Sequence, residues 1–303
     1  MPDATARATA SASAHQFTTP RFLPGAFILL WSTGYVAGKL SLNHAGPFTV
    51  CCLRFACVAL LLGGAAVVSG ARWPRGREAM HLAITGLLAQ AVQFNALYFG
   101  LRQGVSAGVS ALIIGLMPIA TAALAAPLLG ERTTARQWIG LGAGLAGVGL
   151  VVANKLGNGS AAPAAYGLIV LALAGLTLGT LYQKRFCARM DLRSGACIQY
   201  VAATLASLPF AAGLEGFAAD WSAGMAGTMG WLIFVNSALG ATMLSMLIRA
   251  GSAAKVASLF YLVPGVAAVM GFAAFGERLS ATALAGFALT MGAVWVCTRA
   301  PRS

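Results

Sequence analysis

Apolar residues fill ten stretches of this chain, each close to the roughly 20 residues a helix needs to cross a bilayer. Glycine, proline or charge separates them, and they run about 22–43, 47–69, 79–101, 105–129 and 134–154, then 164–187, 194–215, 225–249, 253–275 and 280–299. The pattern predicts an all-α, polytopic membrane protein with ten transmembrane helices and no loop long enough to fold by itself. Residues 1–21 are rich in Ala, Ser and Thr and lack the charged start and apolar core of a signal peptide, so they are expected to form a disordered tail.

The pattern repeats. Gly130-Glu131-Arg132 recurs as Gly276-Glu277-Arg278, an offset of 276 − 130 = 146, and Ser106, Ala111, Pro118 and Gly140 fall on Ser252, Ala257, Pro264 and Gly286 at the same offset. That period is longer than a solenoid unit and fits a duplicated half-protein. The halves are expected at 22–154 and 164–299, five helices each. Five is odd, so the second half must enter from the opposite face and the repeats must be inverted (5+5). Inverted repeats place substrate near the bilayer midplane, where the halves meet.

Composition agrees: mean hydropathy is +0.80, with 59% hydrophobic and 9% charged residues. Soluble domains carry about a quarter charged residues. The net charge of +13 has no soluble basic domain to hold it, which excludes nucleic acid as a partner and leaves lipid bilayer and a small-molecule substrate. Lys and Arg instead mark orientation. Fourteen lie in the N-terminal segment, the loops after even-numbered helices and the C-terminus, against Arg102, Lys155 and Arg278 on the other side. Both termini are therefore expected in the cytoplasm. The sequon Asn158-Gly-Ser160 would face outside.

The stretch Trp31 to Lys39 (WSTGYVAGK), the Gly46-Pro47 entry leading to Arg54, and the doubled segment Asn95 to Arg132 and Ser252 to Arg278 together resemble the drug/metabolite transporter superfamily. The likeness is to its ten-helix form with two EamA-type repeats, and it spans residues 22 to 299. The resemblance implies alternating-access export or exchange of small metabolites. Within the family it is nearest in look to bacterial inner-membrane exporters of aromatic amino acids, some of which also expel cationic drugs such as paraquat. The family pattern also implies that Glu131 and Glu277 make structural loop contacts with the adjoining arginines.

Several residues are candidates for lining the route. Gln90 sits mid-way along the third helix and Asn236 at the equivalent place in the eighth (236 − 90 = 146), with Gln93 one turn from Gln90. An amide at that depth is costly unless paired or wetted, so each either bonds substrate or joins helices. Trp31, Tyr35 and Lys39 share one face of the first helix, a mixed lining suited to an amphipathic solute. Lys39 either meets a substrate carboxylate or snorkels to the nearby interface. Tyr98, Tyr182 and Tyr261 lie toward helix ends, where interfacial tyrosine is common, and are retained as candidate lining residues. Arg54 is expected to anchor a helix terminus rather than touch substrate. Pro118 and Pro264 each remove a helical hydrogen bond and create either hinges for alternating access or static kinks. The glycines at 140, 142, 144, 147 and 149 predict close packing of the fifth helix on a neighbour, in this chain or in a second copy, so monomer and homodimer both remain open.

Other chemistry is weakly supported. Gly104-Val105-Ser106-Ala107-Gly108 matches a nucleophile elbow in form, but that motif needs a later histidine and His15, His44 and His81 all precede it. Ser106 is expected to cap the fourth helix, and Ser252 the ninth. The six cysteines form no C-x-x-C pair, so neither a metal site nor a cofactor is expected. No carboxylate falls within an apolar run, which favours a facilitator or exchanger over a proton antiporter. A channel or a membrane scaffold stands as the non-carrier alternative.

Overall fold

The computed structural model describes residues 22–129, 135–157, 161–187, 190–240, 243, 262–277 and 280–298. Tyr261, Glu131, Ser252, the 158–160 sequon and the 1–21 segment lie outside the described residues. The rest is all-helical and forms ten spans. In the first half these are Leu23–Ser41, Pro47–Val68, Arg77–Arg102, the broken pair Ala107–Ile114 and Met117–Leu129, and Ala135–Gly157. In the second they are Pro163–Phe186, Leu192–Glu215, Ala223–Leu239, Val263–Phe275 and Ala281–Thr298. Among the described residues, Pro47–Val68, Arg77–Arg102, Pro163–Phe186 and Leu192–Glu215 are each long and apolar enough to cross a bilayer.

Proline and glycine punctuate the spans as their backbone chemistry dictates. Proline occupies the first turn of the first, second and sixth spans, where its missing N–H costs nothing. Gly216 and Gly276 end the seventh and ninth spans at φ +58° and +65°, the left-handed conformation that glycine adopts freely. Ser106 caps the fourth span as expected, its Oγ accepting from Val109 N–H at 3.3 Å.

The two halves meet around a two-fold relation. Thr290 Oγ donates toward Gly144 O at 3.4 Å, and these are equivalent positions, 146 residues apart. Gly147 presses on Thr290 while Gly144 faces Ala293, the reciprocal pair that an isologous contact produces. In the second and seventh spans the rings of Phe55 and Tyr200, offset by 200 − 55 = 145, lie 5.9 Å apart. The glycine-rich fifth span thus packs on the tenth span of the same chain through Gly144 and Gly147. Direction inverts as well: the first and ninth spans end where the fourth begins, since Lys39, Glu277 and Ala107 are in contact there.

The structure corrects the picture of Pro118. The fourth span is not one kinked helix but divides at Gly115-Leu116, and Pro118 lies in the first turn of the second piece. There the pyrrolidine removes no bond the helix would otherwise make. Pro264 likewise sits in the first turn of Val263–Phe275. The two places touch, because a Cβ on Gly115 would come within 2.9 Å of Pro264 Cγ.

Candidate functional site

Gln90 and Asn236 are equivalent in sequence, and the structure gives them equivalent backbones. Each lies in a π-helical segment: Leu87–Val92 in the third span and Trp231–Leu239 in the eighth. Shifting the first segment by 146 gives 233–238, inside the second. Such widened turns are rare, interrupt the regular hydrogen-bond ladder and recur at functional sites. A glycine of the opposite half faces each segment. A Cβ on Gly34 would lie 2.8 Å from Asn236 Nδ2, and one on Gly179 would lie 2.7 Å from Ala89 N and Cβ. Asn236 Nδ2 donates to Leu30 O at 3.0 Å, while Asn236 Oδ1 and Gln90 Oε1 are buried with no partner among the described residues. No hydrogen bond joins the two amides themselves. Gln93 is buried one turn on.

Between these segments lies a residue expected at the periphery. Arg54 is 6% exposed, in the core rather than at a helix end. Its Nη1 donates to Tyr98 Oη at 3.0 Å, and its Nε and Nη2 donate to Ser237 Oγ at 3.3 and 3.1 Å. Its guanidinium carbon stands 4.5 Å from the centroid of the Phe94 ring. Ser237 passes its own proton to Leu232 O at 3.0 Å, five residues back, so it accepts from Arg54 and bonds a carbonyl within the π segment. Tyr98, expected near the interface, is 1% exposed and lies against Gly38, where a Cβ would meet its ring at 2.8 Å. Two residues of the first half and one of the second therefore build a single polar cluster at the seam. Tyr35 is buried in the same core.

Lys39, expected either to snorkel or to face a substrate, has a partner within the protein. It pairs with Glu277 at 2.5 Å, and Glu277 also accepts from Ala107 N–H at 3.1 Å. Glu277 therefore contacts the first and fourth spans rather than resting in a loop contact alone. Arginine 278 lies outside the described residues. Glu215 works alike at the same end of the bundle, accepting from Phe48 N–H, Thr49 N–H and Thr49 Oγ at the start of the second span. A carboxylate at a helix N-terminus satisfies free N–H groups and the helix dipole together. Tyr182 sits far from the cluster, near the end of the sixth span, bonded to His81 Nδ1 at 2.8 Å beside the stacked His81 and Phe186 rings. Trp31 is half-buried against Phe27.

A groove of about 540 Å³ opens between the first, eighth and ninth spans, lined by Thr33, Val36, Leu40, Trp231, Met270 and Ala274 among others. Trp231 Nε1 donates to Thr33 Oγ at 2.8 Å along it. Its lining is mostly apolar, in contrast to the polar Arg54 cluster. Among the described residues no group of His, Cys, Asp and Glu is placed to hold a metal ion.

A helical bundle of paired halves with a polar seam is a carrier architecture, and comparison with known proteins gives it a family. The family model described as EamA-like transporter family matches residues 22–153 and 164–299. The chain belongs to the EamA-like transporter family. It is a multi-pass membrane transporter and not an enzyme. An uncharacterised inner membrane transporter of Escherichia coli K12, YedA, is 27% identical over 257 residues, covering 84% of this chain and 82% of that protein. A probable terminal-alkyne amino-acid exporter of Streptantibioticus cattleyicolor is 29% identical, covering 90% and 91%. A probable amino-acid metabolite efflux pump of Salmonella typhimurium is 26% identical, covering 91% and 93%. A solved crystal structure superposes with a TM-score of 0.62 at 20% identity, covering 91% of this chain and 94% of that one, which shows the shared fold.

Sequence reasoning missed Arg54 as a site residue, along with Ser237 and Phe94. One signal was present: Arg54 is the only charged residue between Pro47 and Val68. It stands seven residues from the helix start, roughly 10 Å deep at 1.5 Å per residue.

Proposed function

We propose that the chain exports small amphipathic metabolites across a bacterial inner membrane, amino acids above all and aromatic ones in particular. Transport runs by alternating access through the seam between the repeats. The observation that carries this reading is the Arg54–Tyr98–Ser237 cluster, drawn from both halves and flanked by equivalent π segments. A fixed cation and the orphaned amide oxygens of Gln90 and Asn236 at the seam suit a zwitterion with an apolar body. The amino-acid exporters among its relatives support the same substrate class. The fixed guanidinium disfavours cationic drugs, the other substrate class associated with such exporters. Tyr261 remains a proposed lining residue, and the paired breaks at Pro118 and Pro264 are proposed as the hinge. The described carboxylates cap helices or pair at the ends of the bundle, which supports facilitated exchange over proton coupling. The distribution of Lys and Arg supports a cytoplasmic position for both termini.

Purified protein in proteoliposomes tests this. Saturable counterflow of phenylalanine or another amino acid supports the carrier. Ohmic current identifies a channel instead, and absence of both identifies a scaffold. Reporter fusions placing the two termini on opposite faces would sink the inverted 5+5 arrangement.

A further inference from the structure

We propose that Arg54, together with the Tyr98 hydroxyl, binds the carboxylate of the transported solute. This deepens the reading of the seam as a solute site and rests on it. A guanidinium keeps its charge at every physiological pH, so burial cannot neutralise it. A buried ion without a counter-ion costs several kcal/mol, and in membrane proteins such residues mark substrate routes. Arg54 is nine-tenths buried, yet its partners are two hydroxyls and a ring face.

The described carboxylates are committed elsewhere. Glu215 holds the start of the second span, and Glu277 holds Lys39 and Ala107. Asp220 faces His44, Glu78 faces Arg72, and Asp191 caps the seventh span. The counter-charge for Arg54 is therefore not supplied by the described part of the protein.

The donor geometry specifies the missing partner. A guanidinium carries five N–H donors, and the bonds to Tyr98 and Ser237 use one each on Nη1, Nε and Nη2. One donor remains on each terminal nitrogen, available to the oxygens of a carboxylate. Tyr98 accepts from Nη1, and its own proton has no acceptor among the described residues, so it is a third donor to the same anion. Ser237 is excluded from that role because its proton goes to Leu232 O. The cation also touches both halves, through Phe94 and Tyr98 on one side and Ser237 on the other. An anion bound there senses their relative position.

The test uses the full chain in detergent and two matched pairs: L-phenylalanine with L-phenylalaninamide, and 3-phenylpropionate with 3-phenylpropanamide. Each amide keeps the ring and loses the anion. Calorimetry is expected to show each acid binding at least about tenfold tighter than its amide, the scale of hydrogen bonds to a charged group. Arg54→Gln should bring acid and amide together, and Tyr98→Phe should narrow the gap. The acid–amide comparison on the unaltered chain stands even where a variant does not fold. Equal binding of acid and amide, binding of none of the four, or an undiminished gap in Arg54→Gln would each overturn the proposal. So would tight binding of chloride or inorganic phosphate in place of the acids. If 3-phenylpropionate binds as well as phenylalanine, the amino-acid reading falls while the carboxylate site stands. If phenylalanine and its amide are carried equally, the carboxylate site falls while amino-acid export survives.

Discussion

Lys39 and Arg54 are cations of the first half, fifteen positions apart (54 − 39 = 15), and the fold treats them in opposite ways. Lys39 lies at the end of its helix and meets Glu277 from the ninth span. Arg54 is carried inward and meets hydroxyls and an aromatic face. The first is a closed account of charge that joins three spans, because Glu277 also caps the fourth. The second is open. The contrast separates structural from functional charge: a pair that satisfies itself holds helices together, whereas an ion left without a counter-ion at the seam has donors to offer a solute.

The strongest way to break this contrast is to remove each charge and ask what is lost. Arg54→Met should lower counterflow on the order of 100-fold, the loss of charged hydrogen bonds to the solute. Its melting temperature should hold or rise, since an apolar chain of similar length replaces an unpaired buried ion. A collapse of folding with transport intact per folded molecule would reverse the assignment. Lys39→Met should do the opposite, costing about 2 kcal/mol of stability by stranding Glu277 while leaving the acid–amide preference unchanged. Pairing it with Glu277→Gln should cost less than the sum of the two single changes, and a double-mutant cycle in thermal denaturation reads the difference.

A smaller effect probes the support beneath Arg54. Gly38→Ala places a methyl 2.8 Å from the Tyr98 ring, which must shift. Roughly 1–2 kcal/mol of stability and part of the acid–amide preference should go together. Gly25→Ala, on the same helix with nothing within 4 Å, is the control for helix propensity alone. The smallest effect belongs to a charge at the surface. The backbone N–H groups of Ser194 and Arg193 hold the Asp191 carboxyl below the usual carboxylate range. Its stabilisation is therefore present above the unfolded value and lost as pH falls through the lowered one. The difference in melting temperature between wild type and Asp191→Asn should shrink on acidification.

Residue pattern alone carried most of the architecture. Ten apolar runs and the doubled Gly-Glu-Arg motif were enough for ten helices in paired halves, because a bilayer admits few ways to bury an apolar backbone. The equivalence of Gln90 and Asn236 was also visible, although their π-helical backbone was not, since no local residue signal marks a widened turn. Pro118 was visible as a perturbation but not as the start of a new segment, which depends on the break at Gly115-Leu116.

Partnership was decided only in three dimensions. Lys39 and Arg54 look alike in sequence, each a single basic residue in an apolar helix, and periodicity assigns neither a neighbour. Lys39 finds Glu277 across 238 positions and Arg54 finds Ser237 across 183. Helical periodicity reports which face a side chain occupies within its own span. Whether that face meets a carboxylate, a hydroxyl or an aromatic ring is set by how distant spans cross, and that is a property of packing.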